Sequence, residues 1–456
     1  MFKRISALFI VVIMALTVSC AGEPAELLEF INSNASGDLD CEGKTFTFAS
    51  SWYFEWYAFE DDDLPTVAVE RMMKRFHSIE DKFNAEFEMV KMTEDEVLML
   101  LITGEDIPEM FDTTAEVAYN LYKSKVLASL NQLDAIDMND IKWGEHNFIQ
   151  YGNFNGEQYG FYPWHWEFIP QFEGATIFNA ENIARFGATH PYELQENGNW
   201  NWDSFEAELK KTTVMENDTQ YYGAIISYDE IAKAAIFSNG GQIIDGSNED
   251  GYEFGLKSDK SIQALDWLNS LNSAGYFHDG SLEDFSKQQL SSDLVGPSYY
   301  GTNFNPNSDT ADEYISTNLN DYGFITFPTG PQGDEYDVGA YTYLHRRLNY
   351  ISNLSDIEAE NSAKIVNYIF DPLDGSGEEG WKEYAQNMIF TTNNNQACMD
   401  NFSFIMEQMG YDYSVQMSRS AYDQLNSTFK TVINGTKSAS EAISAVEEIV
   451  MSNFNK

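Results

Sequence analysis

Residues 45–49 read Thr45-Phe46-Thr47-Phe48-Ala49, and this alternation of hydroxyl and ring side chains predicts a half-buried strand. From Thr66 to Phe83, the side chains Val69, Met72, Met73, Phe76, Ile79 and Phe83 recur at helical spacing and predict an amphipathic helix. Phe87-Glu88-Met89-Val90 predicts a second strand. Thr93-Glu94-Asp95-Glu96 is a capping box, in which Thr93 and Glu96 satisfy each other's free amides; it opens a helix through Ile102 that Gly104 ends. Met110-Phe111-Asp112 predicts a third short strand, and another helix follows. The order β-α-β-α-β is that of a parallel sheet with covering helices.

A second alternating series begins near Ala175. Thr176-Ile177-Phe178 is strand-like, and Asn179 caps a short helix stopped by Gly187. Asn201-Trp202-Asp203-Ser204-Phe205 opens the next helix. From Ser261 to Ala274, Ile262, Leu265, Leu268 and Leu271 share one stripe before Gly275. Ser355-Asp356-Ile357-Glu358 caps a predicted helix through Phe370, and Ser438-Ala439-Ser440-Glu441 caps the last one. There is no internal repeat and no low-complexity segment. The 456 residues predict two or three packed units, and two α/β lobes are the expected architecture.

Composition narrows the function. Hydrophobic residues make up 43% of the chain and charged residues 22%, enough apolar surface for real cores and too little charge for global disorder. With 26 Lys+Arg against 73 Asp+Glu, the formal net charge is −47. Binding to a phosphate backbone needs cations that displace counterions, so nucleic acid is excluded as a partner. An anionic lipid surface repels the chain for the same reason. Aromatic residues reach 15%, and the excess of Tyr and Trp leans toward a wet binding cleft.

The amino terminus reads as an address. Lys3 and Arg4 precede an apolar run from Ile5 to Val18, too short to span a bilayer as a helix. It ends in Leu16-Thr17-Val18-Ser19-Cys20, which resembles a bacterial lipobox with Thr17 in place of the usual aliphatic residue. Residues 1–19 are therefore expected to be a signal peptide, Cys20 the lipid-bearing residue, and 20–39 a polar spacer. No later run approaches transmembrane length. The expected location is the outer face of a bacterial cytoplasmic membrane. Cys41 and Cys398 remain; a disulfide and two separate thiols are both open.

An ordered set of short features resembles the bacterial extracellular solute-binding lipoproteins of carbohydrate ABC transporters, the family of maltose-binding protein. Ile107-Pro108-Glu109-Met110-Phe111-Asp112 is similar to its Pro-Asp-hydrophobic segment, with Glu109 where Asp is common. Val126-Leu127-Ala128-Ser129-Leu130 with Leu133-Asp134 is similar to the next segment, and Phe154-Asn155-Gly156-Glu157-Gln158-Tyr159-Gly160-Phe161-Tyr162-Pro163 to the crossover segment. Thr176-Ile177-Phe178-Asn179, Trp200 to Phe205, Ser238-Asn239-Gly240-Gly241, Gly296-Pro297 and Phe327-Pro328 before Gly330-Pro331 follow in the family order. The resemblance implies two doubly wound α/β lobes joined by crossover strands (periplasmic-binding-protein-like, type II), with ligand between them. Each lobe is then discontinuous, 40–165 with 331–372 and 166–330 with 373–456, and the crossovers fall at Phe161–Glu173 and Phe324–Gly330. It also implies an ABC permease as partner, a monomer, no cofactor and no catalysis. A hinge between lobes lets a ligand that touches both favour the closed state.

Ligand sites in open α/β sheets lie beyond the carboxyl ends of strands, which points to the loop Ser50-Ser51-Trp52-Tyr53-Phe54-Glu55-Trp56-Tyr57. Trp52 and Trp56 offer faces for sugar rings and Glu55 accepts from hydroxyls, although the loop also suits a hydrophobic plug. In the crossover, alternation sends Tyr162, Trp164 and Trp166 to one side, and hinge packing must claim at least one. Asp112 accepts two hydroxyls or caps a helix. Asn239 is a cleft-edge candidate or part of a turn, Tyr299 and Tyr300 follow Gly-Pro where the family has a stacking aromatic, and Trp381 is a further candidate. Trp202 and Trp267 fit the core instead.

Three rivals remain. A secreted polysaccharide-active enzyme would share the acidity and aromatics, but no HExxH, GxSxG, P-loop or CxxC spacing appears. A receptor-coupled sensor would use the same closed state. A cationic or peptide ligand is the alternative cargo, since acids and aromatics also hold amines. Glu60-Asp61-Asp62-Asp63 lacks the spaced ligands of a calcium loop, and the scattered histidines, His165 included, suggest no metal.

Overall fold

The alternation at residues 45–49 forms β1 (Thr45–Ala49), with Phe46 and Phe48 pointing into the core. The computed structural model describes residues 39–51, 67–144, 146–162, 172–248, 251–280, 285, 294–295, 299–304, 319, 321–342, 347–371 and 396–454. From Cys41 onward these form one unit. After β1 come α1 (Val67–Phe83), β2 (Glu86–Val90), α2 (Glu94–Thr103), β3 (Met110–Thr114), α3 (Ala115–Lys123) and β4 (Gly160–Phe161). The chain continues through β5 (Phe172–Asn179), α4 (Ala180–Arg185), α5 (Trp202–Thr212), β6 (Ala224–Ile226), α6 (Tyr228–Ser238), α7 (Asp259–Ser273) and β7 (Phe277–Asp279). It ends with β8 (Tyr299–Phe304), β9 (Tyr322–Ile325), β10 (Tyr341–Thr342), β11 (Arg347–Ile351), α8 (Ala359–Ile369), α9 (Gln396–Gln408), α10 (Arg419–Ile433) and α11 (Ala439–Met451).

Local signals account for many element ends. The Thr93 box closes in both directions, the Thr93 amide donating to Glu96 Oε2 at 2.7 Å. Gly104 ends α2 in the left-handed region, and Asn201 and Ser438 cap α5 and α11. The box at Ser355–Glu358 does not form. Helix α8 starts at Ala359 with Glu358 as its cap; the Ser355 hydroxyl donates to the Ile357 carbonyl, and the Ile357 amide donates to buried Glu109.

Two sheets result. The five-stranded one has the order β2-β1-β3-β11-β4, with β11 antiparallel to both neighbours. Helix α1 covers it, Phe76 stacking on Phe87 at 4.6 Å. The six-stranded one has the order β7-β6-β8-β5-β9, with β10 also paired to β5. Helix α6 packs on β5 and β8, α7 and α10 pack against it, and α11 packs on α7 and α10. Trp202 of α5 is buried and stacks on Trp267 of α7 at 4.1 Å, so both tryptophans serve the core as expected.

Register fixes how the sheets are joined. Strand β8 runs from Tyr299 opposite Phe178 to Phe304 opposite Phe172, and β9 runs from Tyr322 opposite Asn179 to Ile325 opposite Thr176. Strands β6 and β7 are parallel to β8. All four carboxyl ends therefore lie at the edge where β5 begins. The chain leaves the first sheet at Phe161, the carboxyl end of β4, and enters the second at Phe172, on that edge. It returns from Thr342, opposite Phe172, to Arg347, opposite Thr114 at the carboxyl end of β3. Both passages thus join carboxyl edge to carboxyl edge.

The return lies later than the sequence suggests. Residues 324–330 stay with the second sheet: Phe324 and Ile325 belong to β9, the Gly330 amide donates to the Ser238 carbonyl, and the Phe327 amide to the Val338 carbonyl. Pairing of Tyr341 with Glu173 then holds the chain there until residue 342. The two cysteines are separate buried thiols, Cys41 beside the first sheet and Cys398 on α9 with its Sγ 3.1 Å from the Tyr192 hydroxyl.

Gly174 carries the tightest approach across β5. Its φ is +94°, and a Cβ there would sit 2.3 Å from the Gly339 carbonyl oxygen. Gly174→Ala should lower unfolding free energy by about 2–3 kcal/mol in urea titration. Gly187→Ala, at φ +67° with open space around it, should cost about 1 kcal/mol.

Candidate ligand-binding cleft

On the first sheet, the carboxyl ends of β1 and β3 bring Ser50 and Asp112 together. Asp112 is buried; Ser50 Oγ donates to its Oδ2 at 2.7 Å, and Arg347 Nη2 donates to its Oδ1 at 2.7 Å. Arg347 Nη2 also reaches the Asp112 carbonyl at 3.1 Å. The carboxylate is thus engaged by the chain itself and anchors the first residue of β11. Arg347 keeps partial exposure, 16% of its side chain, beside the point where the loop after Ser51 begins.

On the second sheet, the carboxyl edge gathers ionisable groups from five segments. Glu173 lies on β5, Asp229, Glu230 and Lys233 on α6, Tyr341 on β10, Asp412 in the turn after α9, and Tyr422 on α10. Lys233 Nζ pairs with Asp412 at 3.1 Å, both side chains sealed from solvent, and also meets the Tyr422 hydroxyl. Burial alone would lower the Lys233 pKa, but Asp412, Tyr422 and Glu173 together outweigh it and keep the ammonium protonated. Burial, reinforced by Glu230, pushes the Glu173 carboxyl up to about 8. At neutral pH Glu173 is therefore mostly a neutral acid able to donate a hydrogen bond. Burial also raises Tyr422 to about 12. Asp229 is held by Ser227 and Asn426 at the first turn of α6.

The other sequence candidates lie as follows. Tyr162 is buried at the start of the first passage, edge-on to Phe148 at 5.0 Å, with its amide donating to the Trp143 carbonyl. Asn239 follows the carboxyl end of α6, at the end of that helix away from the cleft edge. Its amide donates to the Lys260 carbonyl and its Oδ1 accepts from the Gln332 amide, so it braces a turn. Tyr299 sits at the amino end of β8, fully buried against Phe205 at 5.1 Å, in a core position. The backbone of Tyr300 follows it in β8. Trp52, Glu55, Trp56, Trp164, Trp166, Trp381 and Cys20 lie outside the described residues, as do Glu60–Asp63.

Residue patterns missed Ser50, Arg347, Glu173, Lys233 and Asp412 as site-forming groups. One signal was present: Lys233 interrupts the apolar run Ile231-Ala232-Lys233-Ala234-Ala235-Ile236, and a lysine there needs a buried acid. Among the described residues, no group of three or more His, Cys, Asp or Glu side chains is arranged to hold a metal ion.

No protein-family model matches the chain, and no curated protein matches it by sequence. Solved structures do match it. The cyclic alpha-maltosyl-1,6-maltose binding protein of Arthrobacter globiformis aligns with TM-score 0.62 and 11% identity, over 90% of this chain and 99% of its own. An ABC substrate-binding protein of Listeria monocytogenes in complex with cycloalternan aligns with TM-score 0.53 and 18% identity, over 90% and 98%. UgpB of Mycobacterium tuberculosis in complex with glycerophosphocholine aligns with TM-score 0.57 and 12% identity, also over 90% and 98%. The chain has the α/β fold of these proteins, periplasmic-binding-protein-like of type II.

The Glu173 environment has a signed pH consequence. A carboxyl whose folded pKa exceeds its unfolded value stabilises the fold while protonated, and that contribution falls as pH rises from about 4.5 to about 8. Relative to the wild-type chain, Glu173→Gln should therefore gain stability between pH 5 and pH 8, by up to roughly a few kcal/mol in urea unfolding. A constant difference across that range would remove Glu173 as the titrating group.

Proposed function

We propose that this chain is an extracellular solute-binding protein that captures a carbohydrate, an oligosaccharide, between its two lobes and delivers it to an ABC permease without chemical turnover. The observation that carries this reading is that the chain leaves and enters the two large sheets at their carboxyl edges both times it passes between them. A ligand held there touches both sheets, and its contacts favour the closed arrangement a permease can recognise. The fold is shared with proteins described as holding cycloalternan and cyclic maltosyl-maltose, which supports the ligand class.

On this reading Trp52, Trp56, Trp164, Trp166, Tyr300 and Trp381 offer stacking faces, with Glu55 accepting from hydroxyls, and Tyr162 acts by packing on Phe148 at the start of the first passage. Glu173, Glu230 and Asp229 contribute the acidic wall on the second sheet. Asp112 acts by holding Arg347, and Asn239 and Tyr299 act through the packing of the second lobe. Cys20 carries a lipid that tethers a monomer to the outer face of the membrane. Among the described residues no helix is long and apolar enough to cross a membrane, and the proposed anchor needs none. A second reading, a cationic solute, is favoured by the acids on the first turn of α6 and by the glycerophosphocholine held by the M. tuberculosis protein.

Calorimetric titration of the mature chain with neutral oligosaccharides, polyamines and short peptides tests both. Binding of an intact oligosaccharide at micromolar or better affinity, about −8 kcal/mol, is expected. Binding of amines alone replaces the ligand class, and cleaved sugar in the recovered mixture overturns the function. Trp164→Ala should weaken oligosaccharide binding about tenfold or more while thermal unfolding is unchanged. Cys20→Ser should release the chain from the membrane fraction.

A further inference from the structure

At the opposite end of α6 from the cleft edge lies a cavity of about 320 Å³. Its walls include Gln150, Asp245, Tyr336, Asp337, Tyr411 and Tyr413. The void has a physical origin. Gly240, Gly241, Gly339 and Gly410 line it too, and three of them stand where a side chain would collide with its surroundings. A Cβ on Gly339 would sit 2.5 Å from Phe327 Cβ, one on Gly240 2.5 Å from Lys260 Nζ, and one on Gly241 2.8 Å from Ser261 Oγ.

The aromatic wall is held in place before any ligand arrives. The Tyr413 ring lies against Gly246, whose added Cβ would come within 2.6 Å of it. It meets Tyr411 edge-on at 4.1 Å and Tyr252 at 5.4 Å. Gln150, from the stretch leading into β4, donates toward the Tyr413 hydroxyl at 3.4 Å. Such rigidity lowers the ordering cost of binding.

The charge of the lining selects a ligand. Its two charged side chains, Asp245 and Asp337, are both acids. Lys260 stands outside the wall, near Asp337, and balances that carboxylate in part. Of the lining tyrosines Tyr336 is exposed, and its ring face carries negative potential that attracts ammonium groups, while the lining repels anions. The volume falls at the low end of the roughly 300–1,000 Å³ typical of small-molecule sites.

We propose that this pocket is a second binding site, separate from the cleft, for a small organic cation bearing an ammonium group. The inference stands whether the cleft takes a sugar or another solute.

Choline is the probe, and 3,3-dimethylbutan-1-ol, its neutral isostere, the control, each titrated into the purified full-length mature chain by calorimetry. Saturable choline binding is expected, with none by the alcohol, and Asp245→Asn should weaken it about tenfold or more. Asp337→Asn, on a different part of the wall, should weaken it as well and provides the test if the first variant does not fold. Absence of saturable choline binding to about 10 mM overturns the proposal. So does binding that survives substitution in a folded variant, because that cation sits in the cleft or elsewhere.

Discussion

Strand β5 is the constraint from which the arrangement follows. All eight of its residues, Phe172 to Asn179, are buried, and it pairs with β8 on one side and with β9 and β10 on the other. A strand buried on both faces has one workable register, since a slip would move rings and backbone groups into each other. Its first residues receive the chain from the first sheet, and β10 returns alongside those same residues. The approach of Gly174 to Gly339 locks the return against the entry. The direction of this strand makes the two carboxyl edges share a boundary, and a ligand site needs such a boundary.

Two buried ion pairs lie at that boundary. The chain is strongly acidic, yet Asp112 and Asp412 each have a basic partner, Arg347 and Lys233. Removing either partner would leave a carboxylate without its compensating charge, which typically costs 3–5 kcal/mol. These pairs tie segments far apart in sequence to the edges of the two sheets. They give the crossings defined anchor points, while the solvated acids elsewhere keep the molecule dispersed.

Much of the first sheet was legible. The alternation of β1, the helical stripe of α1 and the Thr93 box are local patterns, and local hydrogen bonds realise them. Reading failed where a local pattern met a distant competitor. In the Ser355–Glu358 segment the Ile357 amide is tied to distant Glu109, and helix α8 begins beyond it. The Pro- and Gly-rich stretch near 327–331 looked like a crossover but is held by Ser238 and Val338. Asn239 had the right chemistry for a ligand, but α6 carries it to the far end of the helix, where Lys260 and Gln332 use its amide.

Composition, periodicity and capping residues by themselves determined an acidic α/β protein with wound sheets, because each rests on residues within a few positions of one another. Tertiary structure alone decided which edges face each other, that Cys41 and Cys398 stay apart, and that Arg347 meets Asp112 and Lys233 meets Asp412. Those outcomes depend on strand register and on partners brought from distant parts of the chain. No spacing within a single segment encodes them.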